Sequence, residues 1–263
     1  MIRVGAHVDS TDPLPAAAAI DADAAQIFVG DPQAWKTPAT TYPDGPEALK
    51  EAAAADDVAL YVHAPYVINV ASPNNRIRIP SRKLLAGTVK AATAIGAAGV
   101  IVHGGHVTAG TDDAEGVGNW RKALEALDLT CPVLIENTAG GNHSMARTPD
   151  ALARLWDTVA PFGVGFCLDT CHAWAGGIPL PEGVDLLRSI TGRIDVVHAN
   201  DSVGALDSGR DRHANFGKGT LGTARILDTI VAARPAAVIC ETPPAGIADD
   251  IALVRARLGE LAG

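Results

Sequence analysis

The sequence is poor in the residues that mark several large protein classes. Aromatic residues make up 4% of its 263 residues, and 21 lysines and arginines are outnumbered by 30 aspartates and glutamates, for a net charge of −9. This balance argues against a protein that holds nucleic acid by bulk positive charge. No apolar run reaches the roughly 18 residues of a membrane span, and the first residues lack the apolar core of a signal peptide. We therefore expect a soluble, cytoplasmic protein without membrane contact.

Cysteine is also scarce. The four cysteines lie mostly in apolar, strand-like segments and are Cys131, Cys167, Cys171 and Cys240. Free cysteine commonly behaves as a small buried apolar side chain, and disulfides are rare in cytosolic proteins. We expect four buried free thiols.

Short apolar segments are abundant, and they alternate with longer segments of helical period. Eight segments rich in valine and isoleucine span residues 2–8, 24–30, 60–64, 99–105, 132–138, 164–170, 194–200 and 237–243. Nearly continuous apolar character is typical of parallel strands covered on both faces. Eight strands, each followed by a helix, predict an α/β protein with one (β/α)₈ TIM-barrel domain over residues 1–263. A doubly wound open sheet is the alternative, and the strand count and regular spacing favour the barrel.

Caps mark the starts of two predicted helices. Thr148 followed by Pro149 is a typical helix start, and apolar residues recur at helical spacing from Leu152 to Val159. Ser81, before a run rich in alanine, is a second candidate N-cap. The segment around it, residues 74–83, holds three arginines and a lysine. It is either a rim that contacts phosphate or an ordinary solvated loop.

Residues 196–219 begin with the last part of an apolar strand, which ends at His198. A long loop follows and carries Asp211 and His213. No helix or strand pattern fills the middle of this loop, and a long structureless loop in a compact domain is usually functional. Imidazole nitrogen and carboxylate oxygen bind divalent metals. Taken alone, the segment fits either a metal site or a solvent loop with incidental charges.

Metal-ligand side chains collect at the C-terminal ends of the predicted strands, where barrel active sites form. With the long loop they give nine candidate ligands, which are His63, His103, Glu136, Asp169, His172, His198, Asp211, His213 and Glu241. Any one of them alone fits a core or capping role. An unpaired cluster of carboxylates at one mouth would repel itself, and divalent metals remove that repulsion. Nine ligands suit two or three ions.

Several motifs in combination resemble one known family. They are GAHVDS, VHAPYVINVASPN, VIVHGGH, LIENTAGGN, LDTCHAW, VHANDS, GRDRHANFGKG and ICETP, which extend from residue 5 to residue 243. Together they are similar to endonuclease IV, the zinc-dependent apurinic/apyrimidinic endonuclease family. The resemblance covers nearly the whole chain and implies the same (β/α)₈ barrel.

The resemblance also implies three Zn²⁺ ions per chain and a reaction. His63, His103 and Glu136 would hold the first ion, Glu136 would bridge to a second completed by Asp169, His198 and Glu241, and His172, Asp211 and His213 would hold the third. Glu136 would also be catalytic, by orienting the attacking hydroxide. The implied reaction hydrolyses the phosphodiester on the 5′ side of an abasic site in double-stranded DNA, leaving a 3′-hydroxyl and a 5′-deoxyribose phosphate. Removal of 3′-blocking groups is implied as well.

The candidate DNA contacts lie around the same mouth and are Gln33, Trp35, Tyr66, Val67, Arg76, Arg82 and Arg210. Two of them depart from the family pattern, in which an arginine after the second strand and a leucine beside the tyrosine enter the DNA at the lesion. Gln33 stands at the arginine position and Val67 at the leucine position. The apolar wedge is therefore smaller, and one cationic contact is absent. Action on one lesion requires only a monomer.

Two rival functions use the same residues. A metal-dependent sugar isomerase or epimerase on this barrel would hold one or two ions with Glu136, Asp169, His198 and Glu241 alone. A zinc-binding structural or storage module would hold metal without catalysis. The histidines of the third and fourth strands and the three ligands of the third set count against the isomerase.

Overall fold

A computed structural model describes residues 2–261 of the chain. Eight strands form a closed barrel in which every neighbouring pair is parallel. They are β1 (Arg3–His7), β2 (Ala24–Ile27), β3 (Ala59–His63), β4 (Gly99–His103), β5 (Val133–Glu136), β6 (Gly165–Asp169), β7 (Val196–His198) and β10 (Ala237–Cys240). The closed barrel confirms the predicted TIM-barrel class and excludes the open sheet.

Within residues 2–261, nine α-helices follow the strands and surround the barrel. They are α1 (Pro13–Ala18), α2 (Gly45–Ala55), α3 (Asn75–Ala94), α4 (Asp113–Glu125), α5 (Pro149–Val159), α6 (Thr170–Ala175), α7 (Val184–Thr191), α8 (Thr223–Ala233) and α9 (Ile247–Glu260). The cap predicted for α5 is confirmed, since the Thr148 hydroxyl accepts a hydrogen bond from the Ala151 N–H. None of these helices is both long enough and apolar enough to cross a membrane.

Buried apolar residues form two clusters, one inside the barrel and one between its strands and the helices. The interior cluster consists of Ala24, Tyr61, Ile101, Leu134, Cys167, Val196, Ala237 and Ile239. Six of these residues lie two positions before a candidate ligand, as Tyr61 does before His63. Because side chains two apart in a strand point to the same face, the ligands continue the interior column upward and stand on a packed floor.

Helix α3 begins earlier than predicted, so the assignment of Ser81 as its N-cap is wrong. The cap is Asn74, whose side chain accepts from the Arg76 N–H at 2.9 Å. Ser81 is buried, and its hydroxyl accepts from the Asn69 N–H at 2.9 Å. Pro80 lies inside the helix, and the hydrogen bond it removes is outweighed by burial of the apolar face of α3. The basic segment 74–83 is therefore a cap and helix rather than a loop.

The long loop after β7 contains a small sheet that the sequence did not predict. Strand β8 (Asp201–Ser202) pairs antiparallel with β9 (His213–Ala214), and Ser202 lies opposite His213. Two-residue strands leave no periodic pattern to read. The pairing fixes the backbone of His213 above the barrel mouth.

The cysteines are free and buried, as predicted. Burial raises the pKa of the Cys131 and Cys171 thiols to about 11 and that of Cys167 to about 12, so the reactive thiolate is scarce at neutral pH.

We expect the native protein to release almost no thionitrobenzoate from Ellman's reagent within minutes at a pH of about 8. In guanidinium chloride, the reagent should titrate all four thiols of the same protein. Rapid labelling of any thiol in the native state would contradict this.

Candidate metal centre

All nine candidate ligands meet at the C-terminal mouth of the barrel. Five of them end a barrel strand, Glu241 follows β10 directly, His172 lies in α6, Asp211 precedes β9, and His213 begins β9. Potential ligand atoms lie within 4.8 Å of one another in three groups, namely His63–His103–Glu136, Glu136–Asp169–His198–Glu241 and His172–Asp211–His213. These are the three sets that the resemblance implied. A further group joins Asp169, Cys171 and His213, and burial raises the pKa of that thiol to about 11.

Three histidines each have one ring nitrogen beside a backbone carbonyl oxygen. The Nδ1 atoms of His63, His172 and His213 lie 2.7, 3.0 and 3.3 Å from the carbonyl oxygens of Ala64, Asn137 and Glu241. Because a carbonyl only accepts, each Nδ1 carries hydrogen, and in the neutral ring Nε2 is left with its lone pair. Burial lowers the pKa of His63, so this ring is neutral and its Nε2 lone pair faces Glu136 Oε2 at 3.3 Å. Nε2 of His172 lies 3.2 Å from Asp211 Oδ1. Metal-binding histidines are typically held in this way.

Glu136 is the centre of the cluster and is fully buried. Its Oε2 lies 3.3 Å from the Nε2 atoms of both His63 and His103. Its Oε1 lies 3.1 Å from Nδ1 of His172 and 3.3 Å from Nδ1 of His198. One carboxylate thus faces imidazoles from four different chain segments.

Two buried atoms of this cluster indicate a bound cation. Glu136 Oε2 and His213 Nε2 have no hydrogen-bond partner among the described residues. The lone pair of His63 Nε2 points at Glu136 Oε2, and two facing lone pairs are unfavourable unless a cation lies between them. Imidazole nitrogen with carboxylate oxygen is the donor set that Zn²⁺ accepts. The residues therefore fit divalent zinc.

The electrostatics of the mouth favour positive charge. Burial alone would lower the pKa of His172, but the facing carboxylates of Asp169, Asp211 and Glu136 raise it well above its usual range. Burial likewise opposes ionisation of Glu136, but the facing His103 and His198 hold its pKa well below the usual range. The Glu136 carboxylate is thus ionised and attracts cations.

Three buried amides support the ligands, and sequence reasoning missed all three. Asn200 donates from Nδ2 to Asp169 Oδ2 at 2.7 Å and accepts the Glu241 N–H at 2.9 Å. Asn137 accepts the Asp169 N–H at 2.8 Å. Gln26 lies on β2 and contacts His198 and Glu241. Each of these amides follows or interrupts an apolar strand, and this position in the sequence could have identified them as residues of the site.

The predicted DNA-contact residues fall into two sets. Trp35, Tyr66 and Val67 line a cleft of about 610 Å³ together with the ligands His103 and His172. Trp35 and Tyr66 expose 49% and 54% of their surface, so both side chains are accessible from the cleft.

The other predicted contacts lie outside the lining of that cleft. Gln33, Arg76 and Arg210 are exposed. Arg82 is half-buried, and its guanidinium donates to the Asn119 carbonyl at 2.9 Å. Arg212, which the sequence analysis did not select, lines a second cavity of about 510 Å³ directly over the ligands. Its position in the sequence, between the candidate ligands Asp211 and His213, could have identified Arg212 as a residue of the site.

Comparison with known proteins identifies the family. The model of the family described as xylose isomerase-like TIM barrel matches residues 14–257. The probable endonuclease 4 of Mycobacterium tuberculosis is 54% identical over 256 residues, which is 97% of this chain and 99% of that protein. The chain belongs to the endonuclease IV family.

Solved structures agree with this membership. Endonuclease IV from Thermus thermophilus superposes with a TM-score of 0.85 at 29% identity and covers 98% of this chain and 99% of its own. A D-tagatose 3-epimerase-like protein gives a TM-score of 0.78 at 22% identity, with 99% and 98% of the two chains covered. The second match shows the shared barrel alone. This endonuclease IV family member is thus a nuclease built on a barrel that it shares with a D-tagatose 3-epimerase-like protein.

Proposed function

We propose that this endonuclease IV family member is a DNA-repair enzyme that cuts the phosphodiester on the 5′ side of an abasic site in double-stranded DNA. The products would be a 3′-hydroxyl and a 5′-deoxyribose phosphate. The observation that carries the proposal is the set of three ligand groups around Glu136, open to a cleft with exposed aromatic rings. The 54% identity to a probable endonuclease 4 supports it.

Three zinc ions are proposed, one for each ligand group. His63, His103 and Glu136 would hold one ion, Glu136, Asp169, His198 and Glu241 the next, and His172, Asp211 and His213 the last. When bound, zinc neutralises charge on the phosphate and makes water acidic enough to attack at neutral pH. Three Zn²⁺ ions would offset six of the nine net negative charges of the chain, so the acidic composition is compatible with DNA.

Protein side chains then position the substrate. Glu136 points its carboxylate into the mouth from the end of β5 and orients the attacking water. Arg212 faces the same cavity and balances charge on the phosphate. Trp35 and Tyr66 offer rings on which a base or sugar stacks. An abasic nucleotide lacks base stacking and leaves the helix at low cost, which gives selectivity without base readout.

The same chemistry extends to 3′-blocked ends. A 3′-blocking group is also joined by a phosphate ester, and a mouth that accepts a flipped nucleotide also accepts a strand end. One mouth serves one lesion, so a single-domain monomer in the cytoplasm is sufficient. The isomerase alternative is not favoured, because it leaves the groups around His63 and His172 without a role.

A gel assay tests the proposal. The substrate is an end-labelled duplex with one synthetic abasic site, incubated without added Mg²⁺, next to the intact duplex. We expect a single cut 5′ to the lesion and none in the intact duplex. Absence of cutting by protein shown to carry its zinc would refute the proposed function. Sugar epimerisation would then be assayed with the same preparation.

Replacing Gln33, in the loop after β2, by the arginine of the family pattern should strengthen DNA binding. Gln33 is exposed beside Trp35, and an arginine there adds one phosphate contact. We expect Gln33→Arg to bind abasic duplex several-fold more tightly and to steepen the salt dependence of log K by about one. Fluorescence anisotropy across a salt series measures both, with Gln33→Met as the uncharged control. An unchanged salt slope would show that residue 33 does not meet the backbone.

A further inference from the structure

One buried amide contacts three residues at the floor of the metal centre. Gln26 is fully buried on β2. Its Oε1 lies 2.8 Å from Nε2 of His198. Its Nε2 lies 2.6 Å from Oε1 of Glu241 and 3.0 Å from Nδ1 of His7. Gln26 stands two residues after Ala24 of the barrel interior, so it faces inward like the ligands.

Chemistry fixes the orientation of this amide. The Glu241 carboxylate accepts hydrogen bonds, so the group 2.6 Å from it must be the amide NH₂ and not the amide oxygen. The amide oxygen therefore faces His198, and His198 must carry its hydrogen on Nε2. With Nε2 occupied in this way, Nδ1 of the neutral ring has the free lone pair, and it lies 3.3 Å from both Glu136 and Glu241.

The same amide selects one oxygen of Glu241. Oε1 accepts from Gln26, so Oε2 is the oxygen that faces Nδ1 of His198. His7 also holds the Gln26 amide, because the Nδ1 of His7 accepts the second amide hydrogen. This Nδ1 lies 3.7 Å from Glu241 Oε1. One side chain thus sets which atom of two neighbouring ligands is available to a cation.

We propose that Gln26 is the positioning residue of the group formed by Glu136, Asp169, His198 and Glu241, fixing the His198 tautomer and the Glu241 rotamer so that this group retains its divalent ion. The inference rests on the proposed metal centre and assigns Gln26 no contact with DNA. Groups that hold metal ligands in place typically contribute 10- to 100-fold to metal affinity. We expect an effect of about that size on one ion only.

The test compares Gln26→Met with Asn119→Leu, both prepared with zinc. Methionine keeps the length of glutamine and loses both hydrogen-bonding functions. Asn119 is a buried amide whose Nδ2 donates to the Ala71 carbonyl at 3.1 Å, away from the ligands. Each protein is mixed with a zinc-chelating dye, and the phases of zinc release are counted and timed. Thermal melting with zinc present shows that each variant is folded.

In Gln26→Met we expect one equivalent of zinc per chain to leave about 10- to 100-fold faster than in the parent, with the other phases unchanged. With abasic duplex, kcat should fall while KM stays constant. Asn119→Leu should lower the melting temperature and leave every release phase in place.

Two results would overturn the inference in distinguishable ways. Parental release kinetics in folded Gln26→Met would refute the role of Gln26 and leave the nuclease proposal intact. A parent protein without stoichiometric zinc would refute the metal centre and the role of Gln26 together. If Gln26→Met fails to fold, Gln26→Glu is measured instead, because it retains an acceptor for His198 and loses the donor to Glu241. Unaltered release from Gln26→Glu would equally refute the role.

Discussion

Glu136→Ala should abolish cleavage of an abasic duplex, with kcat/KM lower by about 10³-fold or more. Glu136 belongs to two of the three ligand groups and faces the imidazoles of His63, His103, His172 and His198 at 3.1–3.3 Å. Its removal deletes a ligand from two groups and leaves those imidazoles without their shared carboxylate. Metal ions contribute several kcal/mol of transition-state stabilisation, and each 1.4 kcal/mol is about tenfold in rate.

The end-labelled abasic duplex measures this loss, and zinc analysis of the same preparation should show at least one ion fewer per chain. The matched control is Glu125→Ala. Glu125 ends α4 and forms an exposed ion pair with Arg121, and such pairs contribute little to stability. We expect parental activity and zinc content in that control. Cleavage by Glu136→Ala within tenfold of the parent would remove Glu136 from the mechanism.

Asp201→Ala should lower the free energy of unfolding by about 3–5 kcal/mol, the largest stability effect expected here for a side chain that contacts no proposed metal ligand. The carboxylate is fully buried. Its Oδ1 accepts the N–H groups of Ser202, Leu221 and Gly222 at 2.8, 3.0 and 3.1 Å, and its Oδ2 accepts those of Gly217 and Gly219 at 2.9 and 3.1 Å. Alanine would leave five backbone donors without their acceptor, and each such donor is costly when buried.

Asp201 is also connected to the third ligand group through the β8–β9 sheet. Asp201 pairs with Ala214 in the β8–β9 sheet, next to His213. Loosening the loop from residue 203 to residue 222 should therefore increase the mobility of Asp211 and His213. Urea unfolding measures the stability change, and chelator-driven zinc release measures the effect on the site.

Asp56→Ala is the matched control for Asp201, because Asp56 is an exposed C-cap of α2. Surface substitutions of this kind usually change stability by less than about 0.5 kcal/mol. A loss below about 1 kcal/mol in Asp201→Ala would show that water replaces the carboxylate and that the loop is held by other contacts. Asp250, which accepts from the Phe216 N–H and from Asn215, would then be the next residue to change.

Local sequence determined much of this protein. The alternation of apolar segments with helical stripes predicted the barrel because each pattern reports which side of an element is buried. The ligands were visible because a charged or imidazole side chain that ends an apolar strand must lie at one edge of a parallel sheet. His63, Glu136 and His198 end their strands as predicted. The resemblance of the motifs gave the family.

Other features depended on contacts between residues distant in sequence. The sequence predicts a start of α3 at Ser81 because serine is a common N-cap, whereas the helix begins at Asn75 and contains Pro80, with its inner face packed on the barrel. Strand β8 pairs with β9, and its Asp201 carboxylate accepts a backbone N–H from Leu221, about twenty residues away. No local pattern encodes such a pairing.

The amides around the ligands show most clearly what the local sequence determined and what the tertiary structure decided. The sequence determined that a polar residue interrupts the apolar strand β2, and that Gln26 follows Ala24 on the inward face. Only the closed barrel decided that this residue would meet His198, which lies 172 positions away, and Glu241, which lies 215 positions away. The physical reason is that strand period fixes the direction of a side chain, whereas closure of the sheet chooses the residues that it faces.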